Sequence, residues 1–346
     1  MKYYMKSRPL ISIIIPVYNA ESTISRVLDS LTNNSFNLEI ICVNDGSKDE
    51  SENTINQYIE KDNRIRQIIR DNGGASEARN TGIKNCLGKY IMFCDADDEY
   101  SNDLLRYVIE DIDEFEPDYI VFNRRTVYED GSGFDWLKRN ERNVEDSFNW
   151  IEYFNCIMMD RNHSNVVFNK VYKASIVYEY KIEFTNELLL CEDLYFNFLY
   201  LQHVNNMIED GRAIYLQHKV ANSFTASKRK DYYNQDIKVI DIIYRNHRDK
   251  IGQIDSFINK HILKSAIHAI ERAMLGRDAE IWKESRDIIF AILDDVMFND
   301  AYDKFANDTD LYTRNKLLLL HKRFIFLYYL RYIFMPKVKE SIFRHG

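Results

Sequence analysis

The chain has 346 residues, of which 45% are hydrophobic, and it carries a net charge of −8. This content supports a sizeable core, which argues against global disorder, and the negative charge argues against a general nucleic-acid binder. The five cysteines lack C-x-x-C spacing, so we expect no zinc site. With no signal peptide and no apolar stretch of about 18–20 residues, we expect a cytoplasmic protein.

The first 100 residues alternate between predicted strands and helices. A near-continuous β-branched run predicts a strand over residues 10–17, buried on both faces as in a parallel sheet. The elements predicted after it are a helix over 19–33, a strand over 39–44, a helix over 49–61, a strand over 64–70, a helix over 73–86 and a strand over 89–94. This strict alternation predicts a doubly wound α/β sheet.

The second part of the chain predicts a change of architecture. The elements predicted next are a helix over 102–115, a strand over 118–123, polar and irregular chain over 124–147, a strand over 166–173, a helix over 192–201 and a strand over 212–219. From about residue 228 the pattern is helical and lacks strand signals. We therefore place a boundary near residue 226, between a domain of residues 1–226 and a helical region of residues 227–346.

Closely spaced carboxylates follow the strand at 89–94. The run FCDADD (93–98) places Asp95, Asp97 and Asp98 at the C-terminal edge of that strand, where ligands bind in open α/β sheets. Carboxylates held together repel one another, so they need a cation or an exposed turn. A hard divalent cation with a phosphate-bearing substrate is the favoured interpretation, and an acidic helix cap is the alternative.

Asp45 ends the strand at 39–44 and meets the same edge of the sheet. A carboxylate there can accept the imide N–H of uracil, a contact that cytosine cannot offer because its N3 is an acceptor. The alternative is a turn with a helix cap at Gly46 and Ser47.

Five motifs together resemble the family 2 glycosyltransferases, which are inverting enzymes of the GT-A fold. In chain order they are PVYNAE (16–21), VNDGSKD (43–49), NGGASEARNTG (72–82), FCDADD (93–98) and CEDLYF (191–196). The resemblance covers roughly residues 10–225. It implies a GT-A nucleotide-sugar domain, which is a doubly wound, Rossmann-like mixed sheet, followed here by the C-terminal helical region.

The resemblance also implies a donor-binding set. Tyr18 would lie near the nucleobase, and Asp45 would hold the base. Arg79 would pair with Asp45 or approach the diphosphate. The full set of implied donor-binding residues is Pro16, Tyr18, Asp45, Arg79, Asp95 and Ala96, and Asn72 is a further candidate for the site.

The catalytic set follows from the same resemblance. Asp97 would ligate Mn²⁺ or Mg²⁺, with Asp95 reaching the ribose or a metal-bound water, while Asp98 would act indirectly or on the acceptor side. Asp193 would be the general base, and Glu192 would orient the sugar or the acceptor. Where many relatives carry an Arg five residues before a Ser, this chain has His218 and Ser223, so His218 departs from the pattern.

The function implied is transfer of a sugar, which we expect to come from a UDP donor, to a saccharide or lipid-linked saccharide of a bacterial surface glycan. A non-catalytic sugar-binding module, a nucleotidyltransferase and a membrane-surface scaffold remain alternatives. A nucleotidyltransferase would prefer a Gly-rich, basic loop after the first strand, which PVYNAE lacks.

The C-terminal segment carries the opposite charge to the rest of the chain. Residues 311–346 contain eight Lys and Arg residues against Glu340 alone. Within that segment, residues 317–335 mix basic with Leu, Phe, Tyr and Ile side chains, so we expect them to lie on an anionic membrane surface. Packing on the GT-A domain, or a homo-oligomer contact, is the alternative.

Overall fold

The described part of the chain divides into two units. In the computed structural model, the described residues are 8–101, 103–136, 142–159, 165–219, 232–274, 279–328 and 332. The N-terminal unit comprises residues 1–154 and 164–223, and the C-terminal unit comprises residues 155–163 and 224–346. The boundary predicted near residue 226 and the predicted site residue Ser223 both lie outside the described residues.

A mixed β-sheet forms the centre of the N-terminal unit. Its strands are β1 (Ile11–Val17), β2 (Leu38–Asn44), β3 (Ile65–Ile69), β4 (Tyr90–Phe93), β5 (Glu99–Tyr100), β6 (Tyr119–Val127), β7 (Gly133–Asp135), β8 (Arg142–Glu145), β9 (Lys170–Lys173) and β10 (Met207–His218). The order is β3-β2-β1-β4-β9-β6-β10-β5, with β7 beside β6 and β8 beside β10. The β1–β2, β2–β3, β1–β4 and β6–β10 pairs are parallel, and β9 is antiparallel to β4 and β6. The predicted doubly wound sheet is therefore confirmed.

Helices connect these strands and make up the C-terminal unit. Those that follow strands in the first part of the chain are α1 (Ile24–Thr32), α2 (Ser51–Ile59), α3 (Ala75–Asn85), α4 (Leu104–Phe115), α5 (Trp150–Met159), α6 (Ala174–Glu179) and α7 (Glu192–Leu201). Those that follow are α8 (Tyr232–Asn246), α9 (Arg248–Met274), α10 (Ala279–Asp294), α11 (Val296–Phe305), α12 (Leu311–His321) and α13 (Ile325–Tyr328). The described residues after 228 contain no strand, as their pattern predicts.

Burial explains why the first strands were predictable. Every residue of β2 is buried, and in β1 only Pro16 is partly exposed, so both faces of these strands are covered. The apolar stripe of α1 lies in the same core, with Ile24, Val27, Leu28 and Leu31 fully buried. A continuous apolar run is the pattern of a strand covered on both sides.

Several predicted boundaries differ from the structure. Helix α1 begins at Ile24 rather than at residue 19, because Asn19 has a left-handed φ of 48° and its N–H donates to the Ser47 hydroxyl. The stretch 124–147 is not irregular, since β6 runs to Val127 and β7 and β8 follow within it. The strand predicted over 166–173 spans only 170–173, and helices α5 and α6 were not predicted.

The C-terminal unit is held by buried polar contacts as well as apolar ones. The His261 ring lies 2.8 Å from an Asp236 carboxylate oxygen and 2.8 Å from the Met158 carbonyl oxygen. Glu271 on α9 accepts from Lys316 Nζ at 2.5 Å and from the Tyr328 hydroxyl at 2.6 Å. None of the helices in the described ranges combines the length and apolar character that crossing a bilayer requires.

Candidate active site

Three parallel strands bring the sequence motifs to one edge of the sheet. Strands β2, β1 and β4 are neighbours and run in the same direction. Their carboxyl ends lead into Asp45, Tyr18 and Asp95 respectively. Tyr18 is 53% exposed, which leaves its ring open to a ligand. Pro16 and Ala96 are half-buried at the ends of β1 and β4.

Asp45 organises the loop that precedes α3. Its carboxylate accepts the Gly73 N–H at 3.0 Å and the Gly74 N–H at 2.7 Å, and it forms an ion pair with Arg70. The Asn72 side chain donates to the Asp45 carbonyl at 3.0 Å. Gly74 has a φ of 88°, which favours glycine there. The alternative that Arg79 pairs with Asp45 is wrong, because Arg70 takes that position.

Arg79 instead joins two other motifs. This guanidinium, with 6% of its side chain exposed, lies 3.0 Å from Asp95 Oδ1 and 3.0 Å from Glu192 Oε1. It also lies 3.5 Å from Asp193 Oδ1. Helix α3 contributes the arginine, the chain after β4 contributes Asp95, and the first turn of α7 contributes the other two acids. One buried cation therefore compensates three carboxylates.

Asp193 has one oxygen engaged and one unengaged. Its Oδ2 accepts the Val167 N–H at 3.2 Å, whereas its Oδ1 is sealed from solvent and has no hydrogen-bond partner among the described residues. Burial raises the pKa of Asp193 to about 7, while the nearby Arg79 cation acts in the opposite direction. A carboxylate with a pKa near neutrality is suited to accept a proton.

The acidic run after β4 divides into two environments. Asp98 is 2% exposed and accepts from the Tyr215 hydroxyl at 2.7 Å and from the His218 N–H at 2.8 Å. Burial, reinforced by the charges of Asp95 and Asp97, raises the pKa of Asp98 to about 8. Asp95 and Asp97 remain half-buried at the surface of the site. The His218 Nε2 lies 2.9 Å from Glu99 Oε1.

The carboxylates fit a divalent cation only if a ligand completes its coordination. The described residues contain no group of three or more His, Cys, Asp or Glu side chains that could hold a metal. Asp95 is already paired with Arg79, and the Asp97 carboxylate forms no ion pair within the described ranges. Burial and the neighbouring Asp95 charge raise the pKa of Asp97. Mg²⁺ is commonly bound by one or two carboxylates together with substrate phosphates, so this donor set fits such an ion.

Sequence reasoning missed several residues of this site. Arg70 follows β3, the neighbour of β2, so strand order would have placed it beside Asp45. Tyr215 bridges Asp98 and the Asp95 N–H across 120 positions of sequence, and no local signal indicates that contact. Val167, which supports Asp193, contributes only its backbone.

A known protein family matches the N-terminal part of the chain. Residues 12–180 match the family model described as glycosyl transferase family 2. This part of the chain is therefore similar to the family 2 glycosyltransferases, and the mixed sheet with flanking helices has the GT-A fold.

Two curated proteins and one solved structure illustrate the likeness. Glycosyltransferase GlyA of Streptococcus pneumoniae is 40% identical over 114 residues, which are 33% of this chain and 16% of GlyA. The poly(ribitol-phosphate) beta-glucosyltransferase of Bacillus spizizenii is 34% identical over 195 residues, 54% of this chain and 28% of that enzyme. The chain thus spans less than a third of either relative. S. aureus TarS 1–349 in complex with UDP-GlcNAc superposes with a TM-score of 0.66 at 20% identity, covering 92% of this chain and 89% of that one.

Proposed function

We propose that this chain is an inverting, metal-dependent glycosyltransferase. It moves a sugar from a UDP donor to a saccharide or lipid-linked saccharide in bacterial surface glycan synthesis. The observation that carries the proposal is the position of Arg79, which touches Asp95 of the D-x-D motif and the Glu192–Asp193 pair of α7 at once. One guanidinium thereby fixes the donor-side acid and the proposed base relative to each other.

The donor would lie along the ends of β1, β2 and β4. Asp45 sits at the end of β2 and Tyr18 presents an exposed ring at the end of β1, an arrangement that suits a nucleobase between them. The TarS structure with UDP-GlcNAc, which shares this fold, supports a UDP donor. The curated glucosyltransferase supports a surface-polymer acceptor.

Asp97, with Asp95, would hold Mn²⁺ or Mg²⁺ beside the donor diphosphate. Such an ion neutralises the charge that develops on a departing diphosphate. Asp98 takes no part in holding it, because both of its oxygens are occupied inside the fold by Tyr215 and His218. Asp98 instead fixes the backbone of the acidic run.

Asp193 would act as the general base. Its carboxylate would accept the proton of the acceptor hydroxyl while that hydroxyl oxygen attacks the anomeric carbon from the face opposite the leaving group. The Val167 N–H donates a hydrogen bond to Asp193 Oδ2 and thereby fixes the orientation of the carboxylate. A single attack inverts the anomeric centre and needs no covalent intermediate.

The site of action would be the inner face of the plasma membrane. The surface of the C-terminal helices supports this, because Lys322 and Arg323 are exposed beside Phe324, which is 51% exposed. Basic and apolar side chains presented together favour peripheral binding to anionic lipid.

A donor screen followed by product analysis tests the proposal. We would measure the melting temperature of the protein with UDP-, GDP- and CDP-sugars, with and without Mn²⁺, and then assay UDP release with candidate acceptors. We expect a UDP-sugar to raise the melting temperature, transfer to be lost in Asp193→Asn, and NMR of the product to show the inverted anomer. Binding without transfer would indicate a sugar-binding module, and nucleotide transfer to a sugar phosphate would indicate a nucleotidyltransferase.

A further inference from the structure

Arg124 is a buried cation that forms no ion pair with the described residues, although the charges of Asp98 and Asp193 act on it. It lies on β6 and is 9% exposed. Its Nε is sealed from solvent and forms no hydrogen bond, and within the described ranges its guanidinium forms no hydrogen bond or ion pair. Burying a charge is costly unless it is paired, so arginines in this position normally have a partner. A bound anionic ligand would supply an ion-pair partner for this guanidinium.

Two aromatic rings hold the guanidinium in place. The Arg124 Cζ atom lies 3.9 Å from the centre of the Trp136 ring and 5.6 Å from that of Phe168. Trp136 is fixed in turn, because its Nε1 donates to the Thr126 hydroxyl and its backbone N–H donates to the Arg124 carbonyl, both at 3.0 Å. Ring faces attract the cation but leave its N–H groups at the edge unsatisfied. The fork is therefore preorganised for an anion.

Arg124 lies near Asp193, the proposed base. Phe168, which contacts the guanidinium, follows Val167, whose N–H holds Asp193. In the sheet, β9 separates β6 from β4, the strand that leads to Asp95, so the two parallel strands lie about 10 Å apart. The guanidinium thus lies near the proposed base, and Tyr215, the partner of Arg124 on β10, connects this part of the sheet with Asp98.

Lys170 is a second buried basic side chain close to Arg124. Lys170 Nζ donates to the Val166 carbonyl and, at 3.1 Å, to Asn169 Oδ1. Burial and the nearby Arg124 charge lower the pKa of Lys170 to about 7.

An aromatic row continues from the guanidinium along the β6–β7 hairpin. The ring centres of Trp136 and Phe134 are 5.6 Å apart, and those of Phe134 and Tyr128 are 6.4 Å apart. Phe134 and Tyr128 are each 44% exposed. Exposed rings offer surfaces for the apolar C–H faces of a sugar or polyol.

We propose that Arg124 forms an oxyanion subsite that binds a phosphate or carboxylate group of the acceptor, with the aromatic row beside it receiving the adjoining sugar or polyol. This inference rests on the proposed glycosyltransferase function and narrows its acceptor to an anionic glycan. It assigns Arg124 a binding role and no part in the chemical step.

Direct binding tests the subsite without any activity assay. Trp136 lies against Arg124, so an anion at the guanidinium changes tryptophan fluorescence. We would saturate the protein with UDP and Mn²⁺ to fill the donor site, and titrate inorganic phosphate, glucuronate and, as a neutral reference, glucose. The expected result is a saturable change with one or both anions, weakened at least tenfold in Arg124→Met and unchanged in Arg125→Met.

The two variants are matched neighbours on β6. Methionine keeps the apolar stem between the rings and removes only the charge. Arg125 is 42% exposed at its side chain and pairs with Asp135 Oδ1 at 3.2 Å, so its loss leaves the site intact. The melting temperature of each variant checks its fold, and Arg124→Lys, which keeps the charge but not the planar fork, should retain part of the binding.

Kinetics separate the sources of the anion. With an anionic acceptor, Arg124→Met should raise KM for the acceptor about tenfold or more and leave KM for the donor unchanged. A rise in KM confined to uronate donors would overturn the acceptor assignment, and the absence of any saturable anion response in the folded wild type would overturn the subsite itself. Failure to bind UDP would instead count against the proposed function.

Discussion

The Nη1 atom of Arg79 lies 3.5 Å from Asp193 Oδ1, the carboxylate oxygen that lacks a hydrogen-bond partner among the described residues. The cation is near enough to favour ionised Asp193, yet it donates its hydrogen bonds to Glu192 and Asp95 instead. The proposed base is thus kept near a charge that moderates its basicity.

Removal of the Arg79 charge should destabilise the fold as well as abolish transfer. Arg79→Met leaves Asp95, Glu192 and Asp193 uncompensated, and breaking a buried ion pair in this way costs about 3–5 kcal/mol. Urea unfolding at pH 8 measures the loss, which should shrink at pH 5 because Asp193, whose pKa burial raises to about 7, takes up a proton. The control is Arg106→Met, whose partners Asp103 and Glu110 are exposed and whose loss should change little. Equal stability of the two variants would contradict the role of Arg79.

The pH dependence of transfer should report Asp193. Because burial raises its pKa to about 7, the proposed base is mostly protonated below that pH, so log kcat/KM should rise with pH at a slope near one and level off above 7. Asp193→Asn should lower kcat by about 10²–10⁴ and remove this acidic limb. A wild-type profile that is flat between pH 5.5 and 8 would exclude Asp193 as the titrating base.

Ionisation of Asp193 should lower the free energy of unfolding as pH rises. A carboxyl whose folded pKa lies above its unfolded value favours the folded state most at low pH, and that contribution is lost as pH increases through about 7. Asp193→Asn should therefore be more stable than wild type at pH 8, with the difference vanishing near pH 4. Denaturant midpoints at these two pH values measure it, and a variant less stable than wild type at pH 8 would show that ionised Asp193 stabilises the fold.

Metal binding should depend on nucleotide. Since the described residues offer no complete ligand set, Mn²⁺ should bind weakly to the free protein and at least tenfold more tightly in the presence of UDP. Calorimetry measures both affinities, and Asp97→Asn should remove the enhancement because an amide is a poorer ligand for a hard cation. Glu99→Gln, close by in sequence, serves as the control. Undiminished transfer by wild type in excess chelator would refute the metal assignment.

Base recognition should depend on Asp45. Asp45→Asn keeps the side-chain shape but replaces an acceptor oxygen with a donor, so UDP binding should weaken by about 1–3 kcal/mol while CDP binding weakens less. Arg70→Met, which removes the ion-pair partner of Asp45, should weaken both nucleotides alike. Calorimetric titration of the three proteins distinguishes these effects. Equal losses of UDP and CDP affinity in Asp45→Asn would argue that this carboxylate only holds the loop at Gly73 and Gly74.

Membrane association should depend on exposed basic residues after α12. Truncation would remove the buried Leu317, Leu320 and Tyr328, so charge reversal of Lys322 is the cleaner change. Lys322→Glu should reduce flotation with anionic vesicles at low salt and leave the melting temperature unchanged. The matched control is Lys61→Glu, which lies in the N-terminal unit. A wild-type protein that fails to float with anionic lipid would favour packing or self-association as the role of this segment.

The sequence alone determined the first parallel strands of the sheet and the location of its functional edge. Residues 10–17 and 39–44 are nearly continuous apolar runs, which only a strand covered on both faces explains, and the motifs at their ends must then meet because parallel strands share a direction. Helix α7 was predicted with the bounds that the structure has, since its acidic start and aromatic body are both local signals.

Tertiary structure decided which charges pair and which remain unpaired. Arg79 and Glu192 are 113 positions apart, and Asp98 is joined to Tyr215 over 117 positions, so no local pattern could reveal that one acid is a ligand candidate and its neighbour a buried structural group. Arg124 lies in a stretch whose sequence pattern is irregular and polar. That its guanidinium packs against Trp136 and Phe168, and forms no ion pair with the described residues, is apparent only once β6, β7 and the loop before β9 are in place. Local sequence encodes burial through periodicity, whereas the free energy of a charge depends on every group that the fold brings near it.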